Sequence, residues 1–428
     1  MKNYDVMVFG AGVSGVCAAL GARRQGASVL LVEKTGMTGG AITLAAINAP
    51  AMFNAWGRQI IGGIGWELVK KCLLEEGKPL PDFAKLDAHD HVGSAVWINP
   101  LIFSAICDEA LVAEGVEISL HTMPSELKQE NDIWQATLVT KEGVKKCGVR
   151  IVIDCTGDAD AARLAGIPCH PYEGTQPGTL SFYISGFDDA KVDYNALGEA
   201  LQAAFEKHEM ATGDVWWCGN KMPAENKVRA GMWQLFLGRR GMNANHVTLG
   251  NPDAPNARTA FELEGRASAL RLWRFLKKQP GFENVQFEMR SAECGCRESR
   301  RVITDETVTA EQYRTGFRFP ETIANSFYPI DLHDDERGLC VEPLTEGVFP
   351  SVPRGALIAK GCIGFLVAGR IIGSDRLANS ALRIQATCMA TGHAAGVLAA
   401  MAATAKTDPR NIPYPSLKDA LLAQGVIL

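Results

Sequence analysis

The stretch Tyr4-Asp5-Val6-Met7-Val8-Phe9-Gly10-Ala11-Gly12-Val13-Ser14-Gly15, near the start of the 428-residue chain, decides the fold. Tyr4 to Phe9 is a short apolar run without alternation, the pattern of a strand buried on both faces of a parallel sheet. It ends in glycines, after which Val13, Val16, Cys17 and Leu20 recur at the spacing of one helix face. Gly26 closes that helix, and Ser28-Val29-Leu30-Leu31-Val32 forms a second buried strand with Glu33 at its tip. The unit is strand, helix, strand.

Each glycine has its own duty in such a unit. Gly10 permits the tight turn out of the strand, Gly12 lets the backbone approach a diphosphate with no Cβ in the way, and Gly15 allows helix and strand to pack closely. The helix that starts at Gly12 aims unpaired N–H groups, those of Val13 and Ser14 among them, at that diphosphate, with roughly half a positive charge behind them. Glu33, followed by Lys34, offers its carboxylate to both ribose hydroxyls of an adenosine and would repel the extra phosphate of NADP. A GxGxxG by itself is more often a structural turn. Here the strand, the helix face, the second strand and the acidic tip all fall in place, so the unit reads as an adenine-dinucleotide site, with FAD and NAD both open.

Further along, Asn99-Pro100 starts a helix through Glu114, and strand patterns follow at Glu117 to Met123, Trp134 to Thr140 and Val144 to Val149, a β-meander. Ile151-Val152-Ile153 reads as a separate buried strand ending at Asp154-Cys155-Thr156-Gly157-Asp158. Residues 175 to 330 differ in character, with Trp216, Trp217, Trp233 and Trp273 and a helix-like stretch from Phe261 to Lys278. Gly364 to Ala368 is again strand-like, and Ser380 to Ala402 reads as one long Ala- and Gly-rich helix.

Composition excludes several classes. Charged residues are 21% and hydrophobic residues 47%, as in ordinary globular chains, and the length suits two to three domains of ~150 residues. The net charge of −5, with no dense Lys/Arg run, argues against nucleic acid as a partner. No apolar run reaches the ~20 residues of a membrane span, and no signal-peptide pattern follows Met1, so a cytoplasmic location is expected. The 12 cysteines are scattered, and reduced, buried thiols are expected.

What selects FAD is a resemblance. The chain resembles FAD-dependent oxidoreductases of the glutathione-reductase-like superfamily, in the branch similar to fumarate reductase flavoproteins and the flavin subunit of heterodisulfide reductase. The matching segments, in order, are GAGVSG at 10–15, VEKTGMTGGAIT at 32–43, VIDCTGDAD at 152–160, CRESRRV at 296–302, YPIDLH at 328–333, FLVAGRIIG at 365–373 and ALRIQATCMATGHAAG at 381–396. The resemblance implies an α/β fold: a Rossmann-like FAD-binding domain with a β-meander, discontinuous over residues 1–50, 95–174 and 335–428. An α+β substrate or cap domain would take 51–94 and 175–334.

It further implies that Gly39, Gly40, Ala41 and Thr43 run along the diphosphate and ribityl chain of the flavin, and that Thr156, Gly157 and Asp158 sit at a strand end facing the ligand. Gly369 and Arg370 end another such strand. Where many relatives have an Asp after that glycine, this chain has Arg370, which suggests a phosphate contact. The helix from about Ser380, with Ala381, Leu382 and Arg383, would aim its N-terminus at the flavin ring. There is one GxGxxG, and the Cys-x-x-x-x-Cys of disulfide reductases is missing, which excludes a pyridine nucleotide-disulfide reductase. No histidine lies beside Gly39 to Thr43, so noncovalent FAD is expected, and with no further Cys/His cluster at ligand spacing near Cys294-Gly295-Cys296 no metal is expected.

The substrate side is less marked. His333 is the candidate acid/base by residue type and position, against a satisfied loop histidine. Arg297, with Arg300 and Arg301, could clamp a carboxylate, while ion pairs with Glu293, Glu298 or Asp305 explain the same residues. Arg354 could hold substrate or flavin. Cys294-Gly295-Cys296 reads as structural before redox, His393 as packed, and the middle tryptophans as core or an aromatic pocket. The expected function is hydride transfer between flavin N5 and a small organic substrate, a carboxylate or an aromatic, with homo-oligomerisation left open. A flavin monooxygenase and a non-catalytic flavin-bound scaffold or sensor are the competing readings.

Overall fold

The computed structural model describes residues 2–215, 222–243, 245–334 and 338–428; Trp216 and Trp217 lie outside them. The first strand, Lys2–Phe9, leads through the glycine turn into the helix Val13–Arg24 and returns as the strand Val29–Val32, pairing in parallel with Val6 opposite Val29 and Phe9 opposite Val32. Strand Glu117–Ser119 extends the sheet on that side. Its preceding helix, Pro100–Ala113, starts because Asn99 Oδ1 accepts from Leu101 N and Ile102 N and Pro100 needs no partner at the first turn.

The other side of the sheet corrects the sequence reading. Val144 to Val149 and Ile151 to Ile153 belong to one strand, Gly143–Asp154, which changes partners along its length. Its first half pairs antiparallel with Ile133–Thr140, and its second half runs parallel to the first strand on one side and to Phe365–Val367 on the other. The meander has its own strand Met123–Glu130, and Glu117 to Met123 is not continuous. The hairpin before Ile133 turns on Asn131 and Asp132, both at positive φ, the mirror-image turn that fits the twist of paired strands. The result is a mixed, Rossmann-like sheet with meander, built from segments far apart in the chain.

The expected helix from Ser380 to Ala402 is two helices, Arg376–Leu382 and Gln385–Ala405, broken at Arg383 and Ile384. The second is Ala- and Gly-rich because it lies directly against the first helix: a Cβ on Gly392 would meet Ser14 O at 2.1 Å and one on Gly396 would meet Ala18 O at 2.0 Å. It is long and apolar enough to cross a membrane by composition, which the sequence reading overlooked, but 94% of that window is buried inside the protein.

The buried core around the sheet also takes in Ala51 to Leu73 and Val302 to Ile330, segments expected in the cap. The cap that remains has a core of its own, with Trp233 stacked on Phe275 and bonded through Nε1 to Leu197 O at 3.1 Å. Helices Tyr194–Glu206, Asn226–Gly238 and Ala257–Leu276 and the small antiparallel pair Phe182–Ser185 and Gln286–Met289 make it α+β.

Candidate active site

At the glycine turn, Gly10 has φ +91°, and a Cβ there would strike the carbonyl of Cys155 at 2.7 Å. Gly12 differs: a Cβ on it would meet only Gly40 Cα, at 3.8 Å. Gly39 N donates to Ala11 O, bringing the turn of Gly39 and Gly40, both at positive φ, alongside. The helix start at Gly12 has no side-chain cap hydrogen bond. This cradle fits a diphosphate.

Glu33 is buried and largely engaged. Its carboxylate accepts from Ala11 N at 2.7 Å, from Thr35 N at 2.8 Å and from Thr35 Oγ1 at 2.9 Å, three of the roughly four acceptor sites of a carboxylate. Glu33 thus ties the glycine turn to the strand tip and retains one site for a ribose. Lys34 is exposed. Thr43 Oγ1 donates to Thr38 O, and Thr156 Oγ1 to Asp154 Oδ1, so both hydroxyls brace their own turns. Ala381 and Leu382 are fully buried.

Asp158 and Arg370 pair with each other. Arg370 donates to Gly157 O, to Cys296 O at 2.9 Å and to Asp158 Oδ1 at 2.8 Å. Asp158 also takes Ser299 Oγ at 2.8 Å and an ion pair from Arg258 of the cap. Burial alone would raise the Asp158 carboxyl, but the Arg370 and Arg258 charges hold it well below the usual carboxylate range. Every arm of the Arg370 guanidinium is used inside the protein. With Arg258 the pair fastens the cap to the sheet, and three of the five N–H donors of Arg370 are engaged inside the protein.

A cavity of about 790 Å³ opens beside this latch. Ala41, Gln385, Arg370, Arg383, Arg297 and His333 all line it, drawing together segments from both ends and the middle of the chain. Arg297 donates to Pro177 O at 2.6 Å and Asn243 Oδ1 at 2.9 Å, neutral acceptors both. Burial, then the Arg383 charge, brings it down to about 10, and it remains a cation at neutral pH. Arg383 stands 3.7 Å from Asp331 Oδ2, and its Nε has no hydrogen-bond partner among the described residues.

His333 faces two partners. Its Nδ1 lies 3.0 Å from His246 Nε2 and its Nε2 lies 3.5 Å from Asp331 Oδ1. Burial, aided by the Arg297 charge, pushes His333 down to about 4, so the ring is neutral at pH 7. Burial would raise Asp331, but the His333 hydrogen bond and the His333, Arg383 and Arg297 charges outweigh it and hold the carboxyl at about 2. A carboxylate at Nε2 calls for the N–H there, which assigns Nδ1 of His333 as acceptor of the His246 proton. Sequence reading missed His246, which sits 87 positions from His333 with no local pattern to mark it.

Other candidates fall elsewhere. Arg354 pairs with Glu321 and donates to Ile412 O, away from the cavity, so it holds the C-terminal segment rather than substrate or flavin. Arg300 and Arg301 are taken by Asp253 and Glu298, the ion-pair reading. Cys294 is buried and pushed up to about 12 by that burial, every described cysteine is free, and no metal-binding cluster occurs among the described residues. His393 is packed between Ile64 N and Gln424.

A family model described as FAD dependent oxidoreductase matches residues 5–421. The chain belongs to that family. As an FAD-dependent oxidoreductase it takes FAD as cofactor, in keeping with a glycine cradle that fits a diphosphate. No curated protein relative is found by sequence. Among solved structures, it is similar to a geranylgeranyl bacteriochlorophyll reductase-like protein from Thermoplasma acidophilum, at 14% identity and TM-score 0.42 over 100% of this chain and 85% of that one. A flavoprotein/dehydrogenase from Cytophaga hutchinsonii matches at 13% identity and TM-score 0.41, over 95% and 80%. The OxyS anhydrotetracycline hydroxylase from Streptomyces rimosus matches at 16% identity and TM-score 0.32, over 44% of this chain and only 38% of the hydroxylase.

Proposed function

We propose that this FAD-dependent oxidoreductase exchanges a hydride between noncovalently held flavin and a carbon of a small organic carboxylate, as its resemblance to the fumarate-reductase-like branch also suggests. FAD, when bound, supplies the hydride chemistry at its N5. The observation that carries the reading is the convergence, in one cavity, of two arginines, the Asp331–His333–His246 chain and the Ala41 and Gln385 segments that the resemblance assigns to the flavin.

Arg297 and Arg383 are the residues that bind and orient. Two cations against the one anion of Asp331 leave a net charge of +1 among these three groups, and a carboxylate would neutralise it. His333, neutral at pH 7 with its proton on Nε2, holds that proton 3.5 Å from Asp331, the looser of its two contacts, and can donate it to substrate from there. His246 fixes the tautomer through Nδ1, and Asp331 orients the ring by accepting at Nε2.

The test mixes FAD-loaded, chemically reduced protein with α,β-unsaturated carboxylates without oxygen and follows flavin reoxidation. At least one carboxylate should reoxidise the flavin faster than its amide, and His333→Asn should slow that step by about 10²-fold or more. Reoxidation indifferent to the carboxylate, or a flavin hydroperoxide absorbance with oxygen, would reject the reading in favour of a monooxygenase.

A further inference from the structure

We infer that the substrate is an amphiphile: a carboxylate head seated on the buried arginines, with an apolar tail that leaves through the mouth of the same cavity. The inference rests on the proposed function and names its substrate class. The cavity is inverted relative to an ordinary surface depression. Its acid/base groups lie inside, with His246 and His333 only 6% and 8% exposed, whereas Val92, Trp97, Leu235, Leu339 and Val341 line it and are each 40 to 44% exposed, beside the exposed Arg290. Single exposed apolar residues mean little, but five around one opening form a patch of the kind that marks a binding site.

One hairpin shows the polarity directly. In the antiparallel pair Ile330–Asp334 and Gly338–Glu342, Asp331 stands opposite Val341 and His333 opposite Leu339. Directly opposed residues share a face of the sheet, so the strand carrying the acid/base pair sits beside the strand carrying two of the apolar rim residues. Val92 and Trp97 come from the 86–97 segment and Leu235 from helix Asn226–Gly238, so three independent elements supply the rim. A short polar acid would satisfy the arginines and leave the rim wet. A chain of apolar carbons attached to the same carboxylate covers both.

The charge requirement and the apolar requirement can be separated. FAD-loaded full-length protein is titrated calorimetrically with butanoate, octanoate and dodecanoate and with dodecyltrimethylammonium, all below micelle-forming concentrations. Affinity should tighten by about two- to fourfold per methylene over part of the series, at least about tenfold from octanoate to dodecanoate, with the cation bound more weakly than dodecanoate. Leu339→Ser with Val341→Ser should abolish the chain-length dependence while butanoate affinity and flavin content stay unchanged. Val92→Ser with Trp97→Ser probes the opposite wall if the hairpin variant does not fold. Equal affinity along the series, or equal binding of the cation, overturns the inference. Flavin content is read on the same samples: colourless protein would refute the FAD-dependent reading by itself, while the chain-length series still decides whether an amphiphile binds.

Discussion

A Cβ on Gly15 would lie 1.7 Å from the carbonyl oxygen of Gly10, whereas one on Gly12 would find nothing nearer than 3.8 Å. Two glycines of one motif therefore answer to different constraints, one to the folded chain and the other to the ligand.

Gly15→Ala should cost about 3 kcal/mol or more of stability, because the Gly10 carbonyl stands in the way and Cys155 Cβ lies at 3.3 Å. Gly12→Ala should unfold at the same denaturant concentration as wild type yet lose at least about tenfold in FAD affinity. Urea unfolding of the apoprotein and flavin titration separate the two outcomes. Equal loss of stability in both variants would contradict the division of labour.

Acid should destabilise the protein in a defined window. His333 and His393 are each pushed by burial from 6.5 to about 4, so between those values the unfolded chain binds more protons and stability falls as pH falls. Each gap corresponds to roughly 3 kcal/mol once the lower value is passed. Asp154, raised by burial to about 6, works in the opposite direction and offsets about one histidine. The net expectation is a loss from pH 6.5 towards 4, flattened in His393→Gln. Urea midpoints at pH 7 and pH 5 measure it.

Asp158→Asn removes the buried anion that Arg370 and Arg258 share, leaving two guanidinium groups near each other without compensation. A loss of about 3 kcal/mol in unfolding free energy is expected. FAD affinity should move less than tenfold, because Asp158 fastens the cap to the sheet. A variant with unchanged stability and lost flavin would restore the cofactor role first expected of it.

How much of this was legible follows from range along the chain. The first unit could be read because its period changes, its glycines and its acidic tip all act within thirty residues. Asn131-Asp132 was an equally local turn signal that passed unread. The strand Gly143–Asp154 read as two because it exchanges an antiparallel, half-exposed setting for a parallel, buried one midway. Arg370 was assigned to phosphate because nothing local shows that Asp158, 212 positions earlier, claims its guanidinium. His246 was invisible for the same reason: its partner stands 87 positions further along. The long helix read as continuous because the break at Arg383-Ile384 carries neither Gly nor Pro.

The central claim, that substrate meets flavin on the floor formed by Arg297, Arg383 and His333, is tested most directly by a crystal structure of the FAD complex soaked with a carboxylate. The account predicts the flavin ring between the Ala41 and Gln385 segments, and the carboxylate within hydrogen-bond distance of Arg297 or Arg383 on the side of His333. A ring placed outside this cavity, or a carboxylate bound with both arginines untouched, would contradict it.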